Sequence, residues 1–160
     1  MRKVIVNSTP IIALCKAGVL QLLHELYGEV TIPRAVFDEV TRKNDVVKKA
    51  VLENPWIHIE RVRDSSARRM YKTKLHDGEV EVMMLAQEHG PDHLVVIDDN
   101  AARKTAEYLG LRLTGTVGVL IRAKQLGLVD SVMAIVRKME SSGIFLSEEL
   151  KERVRRIAEE

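Results

Sequence analysis

The chain has one cysteine, Cys15, among 160 residues. No disulfide can form within it, so a reducing compartment is expected. Cys15 lies in an apolar run, which suits a small core residue better than a nucleophile. Aromatic residues make up only 4%, so the core has to be assembled from Val, Leu, Ile, Ala and Met. No apolar run is long enough to span a membrane, and no leader pattern precedes the first strand pattern. No membrane partner is therefore expected, and the cytoplasm is the expected location. Charge is nearly balanced, with 25 Lys and Arg against 23 Asp and Glu. Total charge thus does not announce a nucleic-acid partner. Only local clusters offer phosphate contacts: Arg61/Arg63, Arg68/Arg69 with Lys72/Lys74, and Arg103/Lys104. The plain reading of such clusters is solvated helix faces. Also missing are a Walker loop, a nucleophile elbow and a zinc-ligand spacing. His24, His58, His76, His89 and His93 are read as surface or structural residues.

What is present is an ordinary globular composition, 46% apolar and 30% charged. The length suits one domain over residues 1–160. Short apolar strands alternate with helical segments and no repeat interrupts them, which predicts an α/β fold with a mostly parallel sheet. Val4-Ile5-Val6 reads as a first strand. Ser8 or Thr9 is expected to cap the next helix, and Pro10 suits its first turn. Val30-Thr31-Ile32 reads as the second strand, with Pro33 opening a helix through Val40. A further helix turn or two is expected over 45–53, and an edge strand over 56–62. Ser65 or Ser66 is expected to cap a basic helix to about Lys74. His76-Asp77-Gly78 breaks it, with Asp77 suited to a cap, and Glu79 starts an almost wholly apolar helix. Leu94-Val95-Val96-Ile97 is the clearest buried strand. A helix over 101–109, a strand over 111–114, a helix from Gly115-Thr116 to Lys124, and helices near 129–140 and 147–159 complete the chain.

Sites in open parallel sheets form beyond the carboxyl ends of the strands. That rule puts Asn7, after the first strand, on the same edge as Asp98 and Asp99. Glu39 follows the second strand, and Glu79 opens the helix before the Asp98 strand. Four distant segments therefore offer oxygen ligands to one crevice. Oxygen-only donors suit hard cations such as Mg²⁺ and Mn²⁺. Such an ion relieves carboxylate repulsion, activates water and stabilises phosphodiester cleavage. Each acid also has a plainer reading. Glu39 suits a solvated helix face, Glu79 a first turn facing the helix dipole, and Asp98 or Asp99 a helix cap. Asp77 and Glu81 flank the set.

At these residues a resemblance enters. Val4-Ile5-Val6-Asn7-Ser8-Thr9-Pro10 through Leu14 resembles the opening of PIN domains. Ile32-Pro33 through Val36-Phe37-Asp38-Glu39-Val40 resembles their second motif, and Asp77-Gly78-Glu79-Val80-Glu81 their third. Val95-Val96-Ile97-Asp98-Asp99 with Ala102-Arg103 resembles the fourth. Thr114-Gly115-Thr116 through Leu120 and Gly143-Ile144-Phe145-Leu146-Ser147 are similar to one prokaryotic branch of that superfamily. The resemblance implies a three-layer α/β/α sandwich and an Mg²⁺- or Mn²⁺-dependent endoribonuclease acting on single-stranded RNA. It also implies a possible role as the toxin of a VapBC-like toxin–antitoxin pair, with a small antitoxin and a homodimer as partners. Helices 129–159 are the candidate interface. The metal positions fall on Asn7, Glu39, Glu79 and either Asp98 or Asp99, with those acids as the catalytic set. Ser8 or Thr9 stands beside the first ligand, and Arg103 and segment 68–74 are placed to steer RNA phosphates. Asn7 departs from the family's first aspartate, so an alternative is a catalytically weak PIN domain that binds RNA or a protein.

Overall fold

The computed structural model describes residues 2–64 and 75–160. The expected basic helix to Lys74, with Arg68, Arg69, Lys72 and Lys74, lies outside the described residues. Five strands are found among them: β1 (Lys3–Val6), β2 (Val30–Pro33), β3 (Ile57–Glu60), β4 (His93–Val96) and β5 (Leu113–Thr114). They form one sheet in the order β3-β2-β1-β4-β5, parallel throughout. The helices are α1 (Ser8–Lys16), α2 (Leu22–Tyr27), α3 (Arg34–Val40), α4 (Val46–Glu53), α5 (Asp77–His89), α6 (Asn100–Tyr108), α7 (Thr116–Gln125), α8 (Val132–Ser141) and α9 (Glu148–Ala158).

Right-handed crossovers set the layers. The chain steps from β1 to β2 to β3 in one direction, which puts α1, α2 and α4 on one face, while α3 meets both α1 and α5. It then returns to the far side of β1 for β4 and β5, which puts α5 and α6 on the other. α5 packs against β1, β2 and β4, while α1 meets α3, α4, α7 and α8. This is the expected α/β/α sandwich. The central strands carry aliphatic residues that face both layers, as a parallel sheet covered on both sides requires. Ile5, Val6, Ile32, Val95, Val96 and Ile97 are essentially inaccessible to solvent. Each such side chain contributes about 1.5–3 kcal/mol by burial, which fixes the strand ends that carry the polar residues.

The direction of strand order reverses between β1 and β4, so the crevice for a ligand opens at their carboxyl ends. Val6 lies opposite Val96, and the Asn7 N–H continues the ladder to the Val96 carbonyl at 3.0 Å. Helices run antiparallel to the strands, so α1, α3, α5, α6 and α7 all begin on this edge.

Several boundaries differ from expectation. Neither Ser8 nor Thr9 caps α1; Asn7 is its N-cap residue, because β1 and the helix abut with one residue between them. Pro33 ends β2 and precedes α3. Helix α5 begins at Asp77, with His76 as its N-cap residue, and runs straight through Gly78. A single glycine costs a helix about 1 kcal/mol, which tertiary packing readily overrides. The edge strands are shorter than the patterns suggest, since pairing on one side only ends early. Gly110 (φ 73°) closes α6 as expected. Its N–H bonds to the Glu107 carbonyl and that of Leu111 to the Ala106 carbonyl, a left-handed ending that favours glycine.

Candidate active site

Asn7 is 5% exposed and occupies a position where its type normally accepts a bond from the helix N-terminus. Its side chain makes no such cap. It is turned instead toward α5. A methyl group on Gly78 would lie 3.4 Å from Asn7 Oδ1, 3.7 Å from Glu39 Oε2 and 3.1 Å from Val36 Cγ2. The bare Gly78 backbone is thus what lets β1, α3 and α5 approach one another here. Next to Asn7, Ser8 is buried, and its Oγ has no hydrogen-bond partner among the described residues. Thr9 is exposed.

Glu79 is 4% exposed. Its Oε1 accepts the His76 backbone N–H at 2.8 Å, half of a capping box that stabilises the first turn of α5. Burial pushes its carboxyl above the ordinary range. The His76 N–H pulls the other way, and the charges of Asp99 and Glu39 push it further up. Glu79, Asp99 and Glu39 therefore share one electrostatic environment. Glu39 itself is exposed and lines a cleft of about 500 Å³ with Asp38, Arg42, His76, Asp77 and Gly78. Glu81, flanking in sequence, is buried and accepts the Ala35 backbone N–H at 3.0 Å. It thereby closes the first turn of α3.

Asp98 and Asp99 diverge. Asp98 Oδ1 accepts the Thr116 backbone N–H at 2.7 Å, and Oδ2 accepts the Thr116 hydroxyl at 2.6 Å. That aspartate ties β4 to the start of α7. Gly115 makes room for it: a methyl group there would sit 2.7 Å from Asp98 Oδ1. Asp99 caps α6 through one oxygen, with Oδ2 accepting from Ala102 N at 2.9 Å. Arg103 folds back, and its Nη1 donates to the Ile97 carbonyl at 2.8 Å, steadying the exit of β4.

Chemically, the edge offers a neutral amide oxygen, two exposed carboxylates, Glu39 and Asp99, the second with one oxygen engaged, and the buried Glu79, also with one oxygen engaged. Among the described residues, no three carboxylate, imidazole or thiol groups form a cluster that could hold a metal ion. The donors nevertheless fit Mg²⁺ or Mn²⁺ in kind. They are all hard oxygens, and Mg²⁺ takes one or two carboxylates and keeps several waters. Elsewhere, the Cys15 thiol is pushed up by burial, which leaves it a poor nucleophile. His93 is structural. Its Nδ1 bonds to the Gly90 carbonyl at 2.7 Å, and its Nε2 accepts from Arg112 N at 3.0 Å. Sequence reasoning assigns no role to Thr116, the holder of Asp98, and takes Gly78 for a helix breaker.

A family model described as a PIN domain matches residues 3–160. No curated protein sequence matches the chain. No helix among the described residues is long and apolar enough to cross a membrane. The order of the sheet, the crevice between β1 and β4 and a match over nearly the whole length agree: the chain belongs to the PIN-domain family, a superfamily of nuclease type whose members typically use divalent metals and bind RNA.

Proposed function

We propose that the chain is a single PIN domain acting as an Mg²⁺- or Mn²⁺-dependent endoribonuclease on single-stranded RNA. What supports this reading is that Asn7 Oδ1 and Glu39 Oε2 both approach Gly78, and that Glu79 lies in the field of Asp99 and Glu39, at the edge where the strand order reverses. Glu39 and Asp99 would hold the ion directly, with Asn7 Oδ1 as a neutral ligand and Glu79 as the buried carboxylate behind them. When bound, the ion supplies charge for the phosphodiester oxygens and acidifies a water. Asp98 keeps the β4 exit in place through Thr116 and so positions Asp99. Arg103 acts in the same way through Ile97, and the N-termini of α1 and α6 favour an anionic substrate on this edge. Ser8 and Thr9 open α1 beside the first ligand position.

The test is cleavage of single-stranded RNA in Mn²⁺ by the natural chain and by Glu79→Gln. A loss of about 10–100-fold is expected. Equal cleavage by both would remove this site from consideration. A second reading, a domain that binds RNA or protein without cutting, is favoured by the neutral Asn7 and by the looseness of the acidic set. It predicts RNA binding with no Mn²⁺-dependent cleavage.

The proposal extends to partners. A homodimer or a small antitoxin, as in a toxin–antitoxin pair, would dock on the region from α8 to α9. Most apolar residues of α8 are engaged in the core, among them Val132, Val136 and Met139. The surface would therefore be built on Phe145 and Ile157, which are 75% and 58% exposed. A solution mass of one chain would remove the dimer.

A further inference from the structure

A second cleft, of about 230 Å³, opens beside the first, between α1, α3 and the start of α4. Glu39 and Arg42 line both clefts, so the two are neighbours on α3. The walls of the second are chemically divided. Ile12, Val40 and Val47 make an apolar floor, with Val40 and Val47 buried and Ile12 partly so. Lys16, Arg42 and Lys43 make an exposed basic rim. Among the described residues none of these three cations is in an ion pair. The carboxylate of Asp45 at the same cleft is occupied at the start of α4, where Oδ1 accepts from Val47 N and Lys48 N at 3.0 and 3.2 Å. The lining therefore sets three cations against the two carboxylates of Glu39 and Asp45, an excess of one positive charge.

We infer that this cleft is a nucleotide subsite for the RNA strand next to the scissile phosphate. The base would rest on Ile12, Val40 and Val47, and the flanking phosphates on Lys16, Arg42 and Lys43. An apolar floor accepts a nucleobase face without reading its edge, and unpaired cations gain the most from phosphate because they displace only water and counterions. A strand whose phosphate sits at Glu39 must leave across one side of α3. Arg42, standing on the boundary of both clefts, marks which side. The inference rests on the nuclease reading above, but it concerns binding and is testable without cleavage.

The experiment measures fluorescence anisotropy of a labelled short single-stranded oligoribonucleotide in EDTA, across a salt series, together with cleavage kinetics in Mn²⁺. The Lys16→Ala/Lys43→Ala variant is expected to bind about tenfold more weakly at low salt. Its salt slope should fall by about 0.7 for each phosphate that is no longer neutralised, and its KM should rise at unchanged kcat. Ile12→Ser should weaken binding with no change in slope, since it removes apolar surface and no charge. Lys138→Ala, an exposed lysine on α8, is the control for a general charge effect and should change nothing. Should the double variant bind and cleave like the natural chain while Glu79→Gln fails to cleave, the cleft is no subsite and the nuclease reading stands. A natural chain that neither binds nor cleaves RNA overturns both. If a poly-glutamate peptide binds and only its binding is lost in the rim variants, the cleft serves a protein segment and the inference is wrong.

Discussion

Glu81 on α5 accepts the backbone N–H of Ala35 on α3 at 3.0 Å. One helix thus closes the first turn of another. The bond answers a local deficit. Pro33 precedes α3 and has no side-chain oxygen to offer the unpaired N–H groups of that turn. α3 carries Glu39 and α5 carries Glu79, so the same bond sets the spacing of two candidate ligands. Glu81→Ala should lower stability to urea by about 1–3 kcal/mol and weaken Mn²⁺ binding as well. Glu81→Gln retains an acceptor and should recover part of both. Unchanged Mn²⁺ affinity in Glu81→Ala would show that α3 is held by other means.

Gly78 separates effects on stability from effects on the site. Alanine is favoured over glycine within a helix by about 0.8–1 kcal/mol. A methyl group here would crowd Val36 Cγ2 at 3.1 Å, a strain on the order of 1 kcal/mol. The two nearly cancel, so Gly78→Ala should melt close to the natural chain. Its methyl also meets Asn7 Oδ1 at 3.4 Å and Glu39 Oε2 at 3.7 Å, so Mn²⁺ affinity should fall about tenfold, a change of about 1.4 kcal/mol. Calorimetric titration of Mn²⁺ alongside a melting curve checks both. A large loss of stability with intact Mn²⁺ binding would contradict this.

Asn7 tests the charge of the crevice. Asn7→Asp adds a carboxylate near Glu39, in the field that already raises Glu79. Without metal the variant should be less stable by about 1 kcal/mol through like-charge repulsion. With Mn²⁺ the order should reverse, since affinity for a hard cation rises with ligand charge. Melting curves of both proteins in EDTA and in Mn²⁺ read this out. A variant that melts lower in both conditions would mean that Asn7 faces no cation site.

How far the site is legible in the sequence depends on which interactions are local. Apolar strand patterns mark the ends of β1 and β4, and the reversal of strand order then follows from topology, so Asn7 and the Asp98–Asp99 pair fall on one edge. What sets those two aspartates apart is not legible: Asp98 is held by Thr116, far along the chain, in the space that Gly115 leaves for it. Gly78 misleads for a related reason. Locally glycine reads as a breaker, and only its approach to Val36 and Asn7 shows why a helix keeps it. Glu81 looks like a flanking acid because its partner, Ala35, belongs to another helix.

Glu160 makes a pH prediction away from the crevice. Its carboxylate sits at the N-terminus of α8, where Oε2 accepts from Val132 N at 2.8 Å and Lys124 Nζ at 3.0 Å. Oε1 accepts from the Ser131 hydroxyl at 2.7 Å and Met133 N at 3.1 Å. Burial acts to raise its pKa. The bonds from Ser131, Lys124, Val132 and Met133 outweigh that and bring it down to about 2, against an ordinary 4.5. A carboxyl with a depressed folded pKa contributes stability that is fully present above the unfolded value. The contribution is lost as pH falls from about 4.5 toward about 2. Glu160→Gln should therefore melt roughly 5 °C below the natural chain at neutral pH, the effect of losing charge-assisted bonds in a chain of this size. The gap should narrow steadily between pH 4.5 and 2. Melting curves of both proteins across that range decide it. A gap that stays constant with pH would mean that the Glu160 charge contributes nothing to holding α8.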